Sequence, residues 1–259
     1  MIEVSAIPIL HDNYVWALHA PDGSKEVCVI DPGDPQPVIE FLADGNFALK
    51  KILITHSHND HIGGISTLLD KWQVPVVGPK CAAIPQVTET VAGGDCFFLW
   101  DALVQVLGLP GHLPEHLGYV VEYKDKKQIF SGDVLFSSGC GRIFEGSHAE
   151  LKSSLDKVAD HPDDTLIYGT HEYTAANLKF AREVEPDNDY MRKRAISVAE
   201  LRADHLPTLP TTLALEKKVN PFLRCKDPAV IEAITLQLGR EPIDELEVFT
   251  SLRAWKDMF

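Results

Sequence analysis

Between Thr55 and Gly64 the chain reads Thr-His-Ser-His-Asn-Asp-His-Ile-Gly-Gly, so four residues of metal-ligand type, His56, His58, Asp60 and His61, fall within six consecutive positions. Imidazole nitrogens suit zinc, iron or copper, and a carboxylate among them suits a hard dication that must also activate water. On an extended loop His56 and His58, two apart, send both rings to one side, whereas the adjacent Asp60 and His61 diverge. One ion cannot easily take all four. The spacing favours two neighbouring sites, one using His56 and His58, the other using Asp60 and His61.

These side chains need elements to hold them. A short apolar run at residues 51–55 reads as a strand and delivers His56 at its C-terminal end. Three further runs repeat the arrangement: 103–109 empties into Pro110-Gly111-His112, 128–130 into Ser131-Gly132-Asp133, and 165–168 into Gly169-Thr170-His171. Ligand-type residues in small-residue turns at the carboxyl ends of strands are what a site on a sheet edge requires. Upstream, residues 3–10, 14–19 and 26–30 read as strands joined by hairpin turns, 38–43 has helical periodicity, and a helix through Leu68, Leu69 and Trp72 precedes a strand at 74–77. After His171 strand-like runs nearly vanish. Residues 174–184, 189–205, 228–238 and 242–259 carry helical periodicity with Pro or acidic starts. The expectation is an α/β domain over residues 1–172 followed by a smaller α-helical domain over 173–259.

With 38 acidic against 24 basic residues the net charge is −14, which repels nucleic acid and anionic membrane. Neither is an expected partner. No apolar run approaches a membrane span, and Met1-Ile2-Glu3 lacks the basic flank of a signal peptide, so the expected location is the cytoplasm. The five cysteines are widely spaced with no C-x-x-C and read as reduced thiols. Cys140, flanked by glycines, reads as a packing residue. Asp31, at a strand end before Pro32-Gly33, reads equally as an anchor for the metal loop or as a turn former.

His56 to His61 fits H-x-H-x-D-H and resembles the signature of the metallo-β-lactamase superfamily. Within it the chain is most similar to glyoxalase II, the hydroxyacylglutathione hydrolases. The segments that carry the likeness are Gly132-Asp133-Val134-Leu135-Phe136-Ser137-Ser138-Gly139-Cys140-Gly141-Arg142-Ile143-Phe144-Glu145-Gly146, the run from His171-Glu172-Tyr173-Thr174 to Ala181, Asn220-Pro221-Phe222-Leu223-Arg224, and the terminal Arg253-x-x-Lys256-Asp257-x-Phe259. The likeness thus spans nearly the whole chain.

The resemblance implies an αββα sandwich, an α/β fold class, with a dinuclear site of two divalent metal ions, zinc first and iron or manganese as alternatives. Carried over residue by residue, His56, His58 and His112 take one ion, Asp60, His61 and His171 the other, and Asp133 bridges both. Asp60 and Asp133 then act in catalysis beside a metal-bridging hydroxide. The implied activity is hydrolysis of a glutathione thioester, S-(2-hydroxyacyl)glutathione and in particular S-D-lactoylglutathione, to glutathione and D-lactate, the second step of methylglyoxal detoxification. Arg142, Phe144, Tyr173, Asn177, Arg253 and Lys256 are implied in holding the substrate. No obligate protein partner is expected, and the chain is expected to act as a monomer. Two features depart from the family. Ser57 stands where many relatives have His, and Leu113-Pro114 reshapes the loop after His112, which makes His116 a rival ligand. The competing readings are another hydrolase of the same fold such as a lactonase, a single-iron persulfide dioxygenase, and a non-catalytic binding module. The helical tail and its Arg253/Lys256 pair weigh against the first two, and the survival of all seven ligand candidates weighs against the third.

Overall fold

Residues 13–19, Asn-Tyr-Val-Trp-Ala-Leu-His, have no polar face, and only a strand covered on both sides can bury such a run. In the computed structural model, which describes all 259 residues, this strand is buried along almost its full length. The chain divides into two compact units, residues 1–109 with 115–132, and residues 110–114 with 133–259.

The first unit opens with β1 (Val4–Ile9), β2 (Asn13–His19), β3 (Glu26–Ile30), α1 (Pro35–Gly45) and β4 (Ala48–Leu53). A single helical turn α2 (Asn59–Ile62), helix α3 (Ile65–Lys71), β5 (Val76–Gly78) and β6 (Glu89–Thr90) follow. In order β1-β2-β3-β4-β5-β6 these strands form one sheet, antiparallel from β1 to β3 and parallel from β3 to β6. Then β7 (Cys96–Leu99), β8 (Ala102–Gly108), β9 (Leu117–Tyr123) and β10 (Lys126–Gly132) run as an antiparallel meander. The alternation of side chains along a strand sends Val15, Ala17, Val27 and Val29 into one cluster with Val38 and Leu42 of α1 and with Ile65 and Leu68 of α3. Helix α1 is capped by Asp34, whose side chain accepts from the Gln36 amide, and it ends on Asn46 in the left-handed conformation. The cap stabilises it by about 1 kcal/mol. Burying Val38 and Leu42 stabilises it by about 3–6 kcal/mol, so packing rather than capping fixes where α1 lies.

The second unit contains the hairpin β11 (Leu135–Phe136) and β12 (Gly139–Cys140), α4 (His148–Ala159), β13 (Leu166–Gly169), α5 (Thr174–Val184) and α6 (Asp189–Ala203). It continues with β14 (Thr211–Thr212), α7 (Leu213–Val219), a 3-10 turn at Pro221–Leu223, α8 (Pro228–Leu238) and α9 (Glu245–Met258). Leu178, Ala181, Met191, Val198 and Val219 form one buried cluster across α5, α6 and α7. Phe180 stacks on Phe222 and meets Trp255 and Phe259 edge-on, which ties α5 to α9. Starts and stops follow local chemistry: Ser147 and Glu150 form a reciprocal capping box on α4, and Asp227-Pro228 opens α8, which closes on left-handed Gly239.

Several elements fall outside the sequence-based expectations: helices α2, α4 and α7, strand β9, and the short strands β6, β7, β11, β12 and β14. Helix α9 starts at Glu245 rather than 242, because Asp244 caps it by accepting from the Glu247 amide. No helix is long and apolar enough to cross a membrane.

Candidate metal centre

Strand β4 ends at Leu53, and the chain runs on through Ile54 and Thr55, whose backbone groups bond to Val77 and Leu117. That delivers His56, fully buried, at the sheet edge as expected. Asp31 governs the loop. It accepts from the Thr55 amide at 2.8 Å, the Thr55 hydroxyl at 2.7 Å and His61 Nδ1 at 2.9 Å. Because the Thr55 hydroxyl gives its proton to Asp31, it accepts from His56 Nδ1, 2.9 Å away. Both hydrogen bonds put the ring proton on Nδ1 and leave the Nε2 lone pair as the one that could serve a metal, the arrangement by which a carboxylate or hydroxyl fixes a histidine tautomer. Asp31 also has a positive φ of 53°, and the turn it opens packs so tightly that a Cβ on Gly33 would lie 1.7 Å from the Asp60 carbonyl oxygen. Of the two readings of Asp31, anchor and turn former, the structure gives it both.

The donor atoms in this unit come in close pairs. His56 Nε2 lies 3.1 Å from His58 Nδ1, and His61 Nε2 lies 3.4 Å from Asp60 Oδ2. Donors held about 2.0–2.1 Å from one tetrahedral ion stand about 3.3 Å from each other, so both pairs have the spacing of a ligand edge. The expected pairing of His56 with His58 on one side of the loop holds. Asp60 and His61 do not diverge, since residues 59–62 form a helical turn that swings the two side chains together. Asn13, which in the sequence looks like one more turn residue, donates to Asp60 Oδ2 at 2.8 Å and fixes that carboxylate. Ser57 donates to Glu115 at 2.6 Å. His116 is buried and stacks on the His56 ring, centroids 4.7 Å apart and 25° from parallel.

In the second unit one oxygen, Asp133 Oδ2, lies 3.6 Å from His112 Nε2 and 3.3 Å from His171 Nε2. His112 Nδ1 donates to the Arg142 carbonyl at 2.7 Å, so its Nε2 too is the nitrogen turned to the carboxylate. Gly111 takes φ +132°, a conformation closed to other residues, and a Cβ there would meet the Leu151 backbone at 2.4–2.5 Å. Tyr173 lies flat on the His171 ring, centroids 4.6 Å apart, and Phe144 meets the His112 ring edge-on at 5.2 Å.

The remaining residues expected to hold substrate also lie in this unit. Arg253 is 4% exposed; its Nη1 donates to the carbonyls of Cys140 (3.0 Å) and Gly141 (3.4 Å), and its Nη2 to Asp257 (3.0 Å). Asn177 is buried and donates to the Ser137 carbonyl at 3.1 Å. Arg142 is exposed, its Nε 3.3 Å from Asp257. Lys256 lies over the rings of Phe180 and Phe259, and its ammonium is held below the ordinary lysine range by burial first and by the Arg253 charge second. Cys140 is buried, its thiol pushed up by burial, which fits packing rather than nucleophilic chemistry. The sequence reading missed Glu216, a wholly buried carboxylate under the 137–138 turn whose pKa burial raises above the ordinary 4.5.

Imidazole and carboxylate donors at ligand-edge spacing, with partners fixing the opposite ring nitrogens, fit divalent metal ions. The sequence pattern of the metallo-beta-lactamase superfamily matches residues 13–81 and 102–171. Solved structures agree in fold. ETHE1 from Myxococcus xanthus superposes with a TM-score of 0.64 at 21% identity, covering 100% of this chain and 99% of that one. The BLEG-1 B3 metallo-beta-lactamase gives 0.62 at 22% identity, covering 85% and 99%. Fold and donors thus define a metallo-β-lactamase-type protein, an αββα sandwich with a helical C-terminal region. The pattern of the hydroxyacylglutathione hydrolase C-terminus matches residues 172–259. Hydroxyacylglutathione hydrolases of Vibrio campbellii and Vibrio cholerae are 46% and 45% identical to this chain over the full length of both partners. The chain belongs to the hydroxyacylglutathione hydrolase family.

Proposed function

We propose that this chain hydrolyses S-(2-hydroxyacyl)glutathione thioesters, with S-D-lactoylglutathione giving glutathione and D-lactate, the second step of methylglyoxal detoxification. The observation that carries this reading is the full-length likeness to hydroxyacylglutathione hydrolases, which includes the helical region at residues 172–259. In this reading His56, His58, Asp60, His61, His112, Asp133 and His171 would hold two divalent ions, with His56, His58 and His112 assigned to one, Asp60, His61 and His171 to the other, and Asp133 shared. Zinc is the first candidate, with iron or manganese as alternatives that the same donors accept. Such ions, when bound, supply a nucleophile from water at neutral pH and polarise the thioester carbonyl.

The chain's own residues do the rest. Asp31 and Thr55 keep His61 and His56 in the tautomer that offers Nε2, and the Arg142 carbonyl does the same for His112. The leaving group is a thiolate of pKa about 8.5, so no side chain has to protonate it. Glutathione brings two carboxylates to a chain of net charge −14, and the cations Arg142 and Lys256 are proposed to receive them. Tyr173, on the His171 ring, and Phe144, on the His112 ring, are proposed to line the acyl end and exclude water from it. Arg253 and Asn177 are proposed to serve the substrate by fixing the 137–141 backbone on which it rests. Residues 1–172 would then be the catalytic domain and 173–259 the substrate-binding domain, at work in the cytoplasm.

The purified protein should be offered S-D-lactoylglutathione, a lactone and glutathione persulfide side by side. Thioester hydrolysis at least about a hundredfold above lactone hydrolysis in kcat/KM is the expected result, a difference of roughly 2.7 kcal/mol in transition-state binding. Oxygen uptake with the persulfide and no thioester hydrolysis would overturn the proposal.

A further inference from the structure

The hairpin β11–β12 starts two residues after Asp133 and ends two residues before Arg142, whose carbonyl orients His112. Its two strands are only two residues each, too short to hold a register unaided. Side chains from the helices supply what the ladder lacks. Asn220 Nδ2 donates to the carbonyls of Phe136 (3.2 Å) and Gly139 (2.9 Å), Asn177 to Ser137, and Arg253 to Cys140 and Gly141. Beneath the turn lies Glu216, 0% exposed. Its carboxylate accepts from the Ser138 amide at 2.7 Å, the Ser137 hydroxyl at 2.9 Å, the Thr211 hydroxyl at 2.8 Å and Asn220 Nδ2 at 3.2 Å. Ser138 is held at φ +59°, which a residue with a side chain rarely adopts without external support. A buried carboxylate facing four donors, at a strained turn, is more apparatus than a surface hairpin requires.

We propose that Glu216 is a positioning residue of the metal centre: through Ser137, Ser138 and Asn220 it sets the 136–141 backbone, and thereby the Arg142 carbonyl that aims His112. The inference rests on the proposed role of His112 and Asp133 as metal ligands. It separates the substitutions at this position by chemistry rather than by size. Glu216→Gln keeps one oxygen for the Ser138 amide and Asn220, and turns its amide towards two hydroxyls that can rotate to accept. Glu216→Met fills the same space and offers no comparable acceptor.

The test is zinc affinity, measured by chelator competition at 25 °C on the full chain, with circular dichroism to establish that each variant is folded. Glu216→Met is expected to bind zinc about 10–100-fold more weakly than the parent, the usual effect of losing a group that orients a metal ligand. Glu216→Gln is expected to restore affinity to within about threefold. With zinc in excess, Glu216→Met should lower kcat while KM for S-D-lactoylglutathione stays within about twofold, a split that a general loss of stability would not produce. Asn220→Ala, which removes the donor to Phe136, Gly139 and Glu216 together with the acceptor of the Phe222 amide, is the second variant and should weaken zinc in the same direction. Parental zinc affinity in a folded Glu216→Met or Asn220→Ala chain would overturn the proposal. A parental chain that takes up no zinc would overturn the metal assignment and this inference with it. Zinc uptake without thioester hydrolysis would count against the proposed substrate and leave the role of Glu216 standing.

Discussion

The Asp31 carboxylate accepts three hydrogen bonds, from the Thr55 amide, the Thr55 hydroxyl and His61 Nδ1, and each constrains a residue of the candidate ligand loop. Asp31→Asn replaces an acceptor oxygen with a donor facing two donors, so it should drive His61 to the opposite tautomer. Zinc affinity is expected to fall about 10–100-fold, read by chelator competition. Unchanged affinity would reduce Asp31 to a turn former. His116 stacks on the His56 ring and stands outside the groups of ligand-type donors, so His116→Ala should retain two metal equivalents; loss of a full equivalent by elemental analysis would make it a ligand. Among the cations, Lys256→Ala removes a charge from the rings of Phe180 and Phe259 without touching the 137–141 backbone. It should raise KM for the thioester about tenfold or more with kcat within about twofold, in line with the roughly 1.5–3 kcal/mol of a charge-assisted hydrogen bond. Arg253→Ala releases the Cys140 and Gly141 carbonyls as well and should lower kcat too; a pure KM effect there would mean that Arg253 touches substrate directly.

At the scale of elements, the sequence shows strands best where they end in a residue of metal-ligand type. Runs at 51–55, 103–109, 128–130 and 165–168 correspond to β4, β8, β10 and β13, and each leads into the turn that carries His56, His112, Asp133 or His171. Helices α5, α6 and α8 begin at 174, 189 and 228, where the helical periodicity places them. What the sequence hides is local geometry and distant partnership. The helical turn α2 brings Asp60 beside His61, contrary to the extended-loop expectation, and Asn13 reaches Asp60 across 47 residues. Glu216 passes for a solvated helix charge, although Leu213, Glu216 and Val219 stand three apart and share one buried face of α7, a spacing that carried the signal. Its burial has a pH consequence. The folded chain holds the Glu216 proton more tightly than the unfolded chain does, so this group's contribution to stability is complete below the ordinary 4.5 and is lost as pH rises through the raised folded value. Glu216→Gln has no charge to bury. Its unfolding temperature relative to the parent should therefore rise as pH climbs from 4.5 towards 8 in thermal scans; a constant difference would mean that Glu216 is equally at ease with its charge folded and unfolded.

For the whole molecule, the proposed metals couple function to stability. Ions that bind the folded chain and not the unfolded one stabilise it by about 4 kcal/mol at a thousandfold excess over Kd. Chelation should lower the unfolding temperature by several degrees, and zinc should restore it. An unfolding temperature indifferent to chelator would argue against resident metal. The central claim is more direct: a chain of this family, with these donors, hydrolyses a glutathione thioester by means of metal. The measurement that tests it is kcat/KM for S-D-lactoylglutathione on a preparation whose metal content has been counted. Rapid hydrolysis with two metal ions per chain, abolished by chelation and restored by zinc or iron, is the predicted result. No turnover with two ions bound would contradict it, and would send the search for substrate to other thioesters and to lactones.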